Sequence, residues 1–274
     1  MTDALPGAKP AGRSPGHFYL QGFSLLELAI SMAVVTTVLL VVIVPYTTQL
    51  TQRNVRDTQK ILDDTKDALL VFAMTRSRLP CPASATSAGL ESFAAGGDET
   101  NGLCSNFFDG FLPAATLGMY PNVAGYAVDA FGGQPANRIR YAVSNQAING
   151  VTSPFTRTNG MRAATMPAIG ASTMTLLFVC ESGSGVVAGT SCGLAAKLTD
   201  TAPVVLWSSG SNAATSGGVS VDELQNPSIR GGSADRIFVS RPQSNREGAE
   251  FDDVVTWIPL GILLGRLVSV GQLP

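Results

Sequence analysis

From Leu28 to Tyr46 the chain carries no charged residue, and Leu, Ile, Val, Ala and Met fill most of the positions. As a helix, such a run is long enough to span or nearly span the roughly 30 Å hydrocarbon core of a bilayer. An apolar helix of that length has to be buried, either in lipid or among other apolar helices. A lone carboxylate, Glu27, stands just inside its start, and the pair Gly22-Phe23 precedes it. An acidic residue costs about 2.5–3.5 kcal/mol at the centre of a membrane helix and less near its end, so one retained there points to function.

The string GFSLLELAIS, Gly22 to Ser31, resembles the processing and methylation motif of type IV pilins and type II secretion pseudopilins. The resemblance implies that a prepilin peptidase cuts after Gly22 and methylates the new amino terminus at Phe23, and that Glu27 serves assembly. It implies an α+β, pilin-like fold: a long N-terminal helix with an apolar first half, packed on an antiparallel β-sheet with long loops. The expected divisions are a leader peptide at 1–22, a membrane and assembly half of the helix at 23–46, its amphipathic half at 47–78 and a β-rich head at 79–274. The implied location is the bacterial inner membrane, single-pass with the head in the periplasm, and then a pilus or pseudopilus. The implied partners are the peptidase, other pilin or pseudopilin subunits and the inner-membrane assembly platform. In a bundle of such helices, Glu27 is expected to pair with the amino terminus of a neighbour's Phe23. A buried charge pair adds little net stability, but it sets register because either charge left alone is costly.

The rest of the chain agrees with this division. Residues 1–22 contain Pro6, Pro10 and Pro15 among glycines, a composition of turns rather than of helix or strand. A conventional secretory signal has its apolar region before the cut; here the apolar region follows it and is retained. Between Thr47 and Arg76 there is no Gly or Pro, and Val55, Leu62, Leu69, Phe72 and Ala73 recur at helical spacing opposite a charged face. Beyond the helix, LPCP (Leu79–Pro82), the Gly110–Gly118 segment, Asp129–Gly132 and Arg140–Val143 resemble a scaffold signature of some pilin-like proteins. Arg138 to Ser144 alternates as a half-buried strand, and further strands are expected at Met174–Cys180, Pro203–Trp207 and Arg236–Ser240. They fit one antiparallel sheet laid against the outer half of the helix. The C-terminal segment reads as a strand ending near Trp257, then a short apolar helix or turn.

Four cysteines, Cys81, Cys104, Cys180 and Cys192, all lie beyond the apolar run. An even count in an exported segment suggests two disulfides. Three pairings are possible, and the two local ones, Cys81–Cys104 and Cys180–Cys192, are favoured. Zinc is not expected, since there is no CxxC spacing and the single histidine, His17, lies in the leader. Asp98, Glu99 and Asn101 read as a solvated turn rather than a calcium loop, lacking the spacing of an EF-hand. Asp252 and Asp253, taken as neighbours on a strand, should point to opposite faces and not converge on one ligand.

The composition limits function further. Charged residues make up 14% of the chain and the net charge is -2, which gives no bulk attraction to nucleic acid. No catalytic set is visible: there is no G-x-S-x-G elbow, GK[ST] loop or H-E-x-x-H, and no histidine follows the leader. Asp109, Asp129, Asp222 and Glu223 are scattered along the sequence. Neither a catalytic role nor a cofactor or metal is therefore expected. The leading expectation is a structural subunit, a minor pilin or pseudopilin. A pilus- or membrane-anchored binding module is the alternative, and an anchored periplasmic enzyme is a third.

Overall fold

The structure is a computed structural model that describes residues 24–120, 123–132, 135–171, 174–214, 220–229, 231–232 and 234–274, with the side chains of 40–48 excepted. The chain divides into two compact units, Met1–Gln49 and Leu50–Pro274. One helix, α1 (Leu25–Arg76), contributes residues to both.

In the first unit, Ser24 caps α1: its Oγ accepts a hydrogen bond from the backbone N–H of Glu27 at 3.2 Å, which satisfies one of the free donors at the helix start. The side chains that follow are apolar on every face, and Leu25, Leu26, Ile30, Met32, Val34, Val35 and Val38 are all more than half exposed. Among the described residues no helix is long and apolar enough to cross a membrane. The uncharged run of the sequence continues over residues 40–48, whose side chains lie outside the described set.

In the second unit α1 becomes amphipathic. Thr58, Leu62, Thr65, Leu69 and Ala73 form a buried stripe at intervals of three and four, while Asp57, Lys60, Asp63, Asp64 and Asp67 face solvent. The two threonines within the stripe have partners. Thr65 Oγ1 donates to Ile61 O at 2.7 Å, and Thr58 Oγ1 accepts from the Ala130 N–H at 3.1 Å. The helix ends at Arg76, followed by Ser77 at φ 56° and then Pro80, which cannot continue it. Gln272, near the far end of the chain, reaches back to this terminus and donates to Met74 O at 3.3 Å.

The first sheet is built from β1 (Gly110–Phe111), β2 (Arg140–Val143), β5 (Val204–Ser208) and β9 (Val254–Ile258), in that order and antiparallel throughout. One face packs Ile139, Tyr141, Val143, Val204, Leu206, Val254 and Ile258 against the α1 stripe and against Leu263, Leu264 and Leu267 of α5 (Leu260–Ser269). Short helices α2 (Ala114–Leu117), α3 (Gly160–Ala164) and α4 (Met166–Ile169) close the margins of this core.

The expectation of one antiparallel sheet is corrected in two ways. A second sheet, β4 (Lys197–Ala202), β3 (Leu177–Cys180) and β6 (Ile237–Val239), covers the other face of the first, and its β3–β6 pair is parallel. A separate hairpin pairs β7 (Ser244–Arg246) with β8 (Ala249–Phe251). Nor is β2 half-buried. Ala142 joins Val205 and Trp207 in a second core against Leu177, Val179, Ala202 and Phe238, so all four β2 residues are buried. The physical reason lies in runs such as VVLW, where apolar residues occupy consecutive positions and leave no wettable face. The result is three layers, with the outer half of α1 and α5 on one side and two stacked sheets behind them. Trp207 marks the sheet-to-sheet contact; its ring centroid lies 5.0 Å from that of Phe238 and its Nε1 donates to Pro227 O at 2.9 Å.

Both local disulfides are present, Cys81–Cys104 and Cys180–Cys192. The first fastens the loop after α1, and the second closes the outer side of β3, where it packs with Phe178 and Ile237.

Candidate functional site

Two regions hold the residues singled out by the sequence. At the first, Gly22 and Phe23 lie outside the described residues. Glu27 is exposed in the first turn of α1. With Ser24 as cap and Glu27 three positions on, SLLE is also a capping-box sequence. That local role was legible in the sequence and was missed behind the motif. An acid in the first turn is also favoured by the helix dipole.

The scaffold segments are placed by packing. The LPCP segment leaves α1 with Leu79 and Cys81 buried, and Pro80 O accepts from the buried Tyr141 hydroxyl at 3.0 Å. Gly110 has no room for a side chain, because a Cβ there would lie 2.2 Å from Pro82 Cβ. Gly118 ends α2 in the left-handed conformation at φ 67°, a position glycine fills without strain. Asp129 is buried and accepts from Ser208 Oγ at 2.5 Å, Asn137 Nδ2 at 3.1 Å and the Phe131 N–H at 2.9 Å. Burial raises its pKa despite these donors. Arg78, almost wholly buried, forms a two-pronged ion pair with Glu91 at 2.8 Å for each arm and a further pair with Glu99 at 3.2 Å.

The Asp98 loop is a turn held by its own donors. Asp98 Oδ1 accepts from Thr100 N, Thr100 Oγ1 and Asn101 N, and these bonds, that from the Thr100 hydroxyl foremost, hold its pKa down.

In the second region the residues were noted in the sequence, but their convergence was not expected. Asp252 and Asp253 lie in the corner between β8 and β9 rather than on a strand, so the alternation that would send them to opposite faces does not apply. Together with Glu223, from a 3-10 turn at Glu223–Gln225, each offers a carboxylate oxygen within 4.8 Å of the others. Glu223 Oε1 accepts from the Asp252 N–H at 3.0 Å and Asn212 Nδ2 at 3.1 Å. Asp252 Oδ2 accepts from Ser211 N, Ser211 Oγ and Asn212 N, and Asp253 Oδ2 from Asn226 Nδ2 at 2.7 Å. Burial raises the pKa of Glu223, and the adjacent Asp252 charge adds to the effect. Burial also pushes Asp253 well above the usual carboxylate value, with Asp252 and Glu223 adding to it. The nearby Arg241 is engaged with Asp222, which also accepts from Ser182 Oγ and Gly183 N. An open groove of about 440 Å³ is lined by Glu181, Ser182, Arg241, Gln243 and Ser244.

Nothing in sequence spacing brings Glu223 to Asp252, since 29 residues separate them. The packing of the Glu223–Gln225 turn against the β8–β9 corner does so. Comparison with protein-family models, with curated proteins and with solved structures gives no match for this chain.

Proposed function

We propose that the chain is a structural subunit, a minor pilin or pseudopilin, that waits in the inner membrane and assembles into a type IV pilus or pseudopilus through its N-terminal helix. The observation that carries this reading is the exposure of the apolar side chains from Leu25 to Leu39 on α1. Each buried Leu, Ile, Val or Met side chain contributes about 1.5–3 kcal/mol relative to leaving it in water. A helix that displays so many has no burial partner among the described residues of its own unit. Lipid is one such partner and a bundle of like helices is another. Transfer between them lets a membrane-held subunit become a filament subunit, and head-to-tail packing that does not close yields a filament.

In this reading Gly22 and Phe23 form the peptidase cut, Phe23 carries the methyl group, and Glu27 sets register against a neighbour's amino terminus. The test is intact mass and amino-terminal sequencing of membrane-extracted protein, with and without the prepilin peptidase. The expected product begins at methylated Phe23 and is lost with the enzyme; a chain that still begins at Met1 refutes the assignment. Glu27→Val is expected to fractionate with membranes at native level and to be depleted from sheared filaments at least about tenfold, the effect of leaving a partner's charge unpaired in a dry core.

The open polar groove around Arg241 favours one second reading, a head that also binds a surface or secreted ligand. Substitutions there that abolish adhesion while leaving filament incorporation intact would support it.

A further inference from the structure

We propose that Glu223, Asp252 and Asp253 hold a divalent cation of the hard, oxygen-seeking class, calcium foremost, at the corner where β8 turns into β9. The geometry supplies the first argument. Oxygens bound at about 2.3–2.6 Å lie no more than about 4.6–5.2 Å apart across a calcium ion, and the three carboxylates fit within that sphere.

The second argument is independent of their proximity. Glu223 is only 2% exposed, yet its Oε2 has no hydrogen-bond partner, and neither does the buried Oδ1 of Asp252. A buried polar atom left unpaired costs about 1–3 kcal/mol, and more where the group is charged. Both carboxylates place their other oxygen on several donors, so the unpaired oxygens are left over from a set that is otherwise fully used. Among the described residues, none of the three forms an ion pair with a basic side chain, and Arg241 is taken by Asp222. A cation, or a proton held between Glu223 and Asp252, is what this arrangement lacks; the calcium titration below separates the two.

The donor chemistry selects the ion. The three ligands are carboxylates, and all four cysteines are bonded to one another, which disfavours the thiolate- and imidazole-seeking metals. Magnesium demands near-ideal octahedral geometry and keeps several waters, whereas calcium accepts an irregular set. Two of these carboxylates are buried, a setting that suits the ion more easily stripped of water. Bound there, the ion would fasten the Glu223–Gln225 turn to the β8–β9 corner.

The test uses the full chain in detergent, stripped with a chelator and titrated with calcium chloride. Magnesium chloride and sodium chloride at matched ionic strength are the controls. Thermal unfolding and calorimetric titration are the readouts. The expected result is a saturable rise in Tm with one calcium bound per chain and half-saturation in the range of about 0.1–1 mM. Glu223→Gln and Asp252→Asn, the latter at a half-buried position, should each weaken calcium binding at least about tenfold. In chelator both variants should be no less stable than the native chain, because each removes one charge from a crowded set. Absence of a saturable effect up to about 10 mM calcium would overturn the proposal. So would unchanged affinity in both variants, which would put the ion elsewhere. Saturation by magnesium at lower concentration would overturn the choice of calcium.

Discussion

Asp129 shows how a single buried residue couples this fold to pH. It ties β5 to the segment before β2 through Ser208 and Asn137, and burial raises its pKa above the usual 3.8. The folded state therefore holds this proton more tightly than the unfolded chain does. The stability linked to it is full below the unfolded value and is lost as pH rises through the folded one. Asp129→Asn removes that linkage, so the stability advantage of the native chain over the variant should be larger near about pH 4 than near about pH 7. The change amounts to about 1.4 kcal/mol for each unit by which the folded pKa is raised. Urea denaturation at the two pH values reads it, and a difference that grows with pH would contradict the account. At this scale the sequence was partly legible. Glu27 stood out because a carboxylate in an apolar helix is anomalous, and Asp252–Asp253 were noticed but read as strand neighbours. Their convergence depends on a corner between strands, which no local pattern announces.

At the scale of elements, the apolar runs MTLLFVC, PVVLW and RIFVS were legible as strands because β-branched and aromatic residues fit a buried pleat. The strand β4, KLTDTA, was not. It lies at the edge of the second sheet with Lys197 and Leu198 exposed, and an edge strand carrying charge has no apolar signature. Its Lys197–Asp200 pair at 2.7 Å is exposed and adds little to stability. The junction after α1 is different. Arg78 there is buried, flanked by Phe72 and Phe93, and clamped by Glu91, which also accepts from the Cys81 N–H at 3.1 Å. Arg78→Met leaves that carboxylate without its cation and is expected to cost about 3–5 kcal/mol by urea denaturation. Adding Glu91→Gln should restore part of the loss, and a purely additive double variant would show that the pair acts through packing alone.

For the molecule as a whole, the number of layers was the least legible property. Periodicity reports whether one face of a strand is wet, but not what covers a face that is dry. A second sheet and a second helix look alike from within β2. The division into two units yields a direct test. Leu50–Pro274 contains the amphipathic half of α1, both cores and both disulfides. Expressed alone in an oxidising compartment, it should fold without detergent, unfold in one cooperative urea transition and retain both bridges by non-reducing mass spectrometry. An aggregated or partly oxidised product would show that the first unit is needed to build the second.

The short reach of the two bridges bears on how such a chain is made. Cys81 and Cys104 are 23 residues apart, and Cys180 and Cys192 are 12, whereas β2 finds β5 across some 60 residues and β5 finds β9 only when the last part of the chain has arrived. Closing a short loop is entropically easier than closing a long one. Each bridge can therefore close within its own short stretch, without waiting for β5 to meet β9. On the loop-closure argument the bridges close before pairing of the last strand completes the fold. Once both local bridges have closed, no cysteine is left over for a wrong pairing.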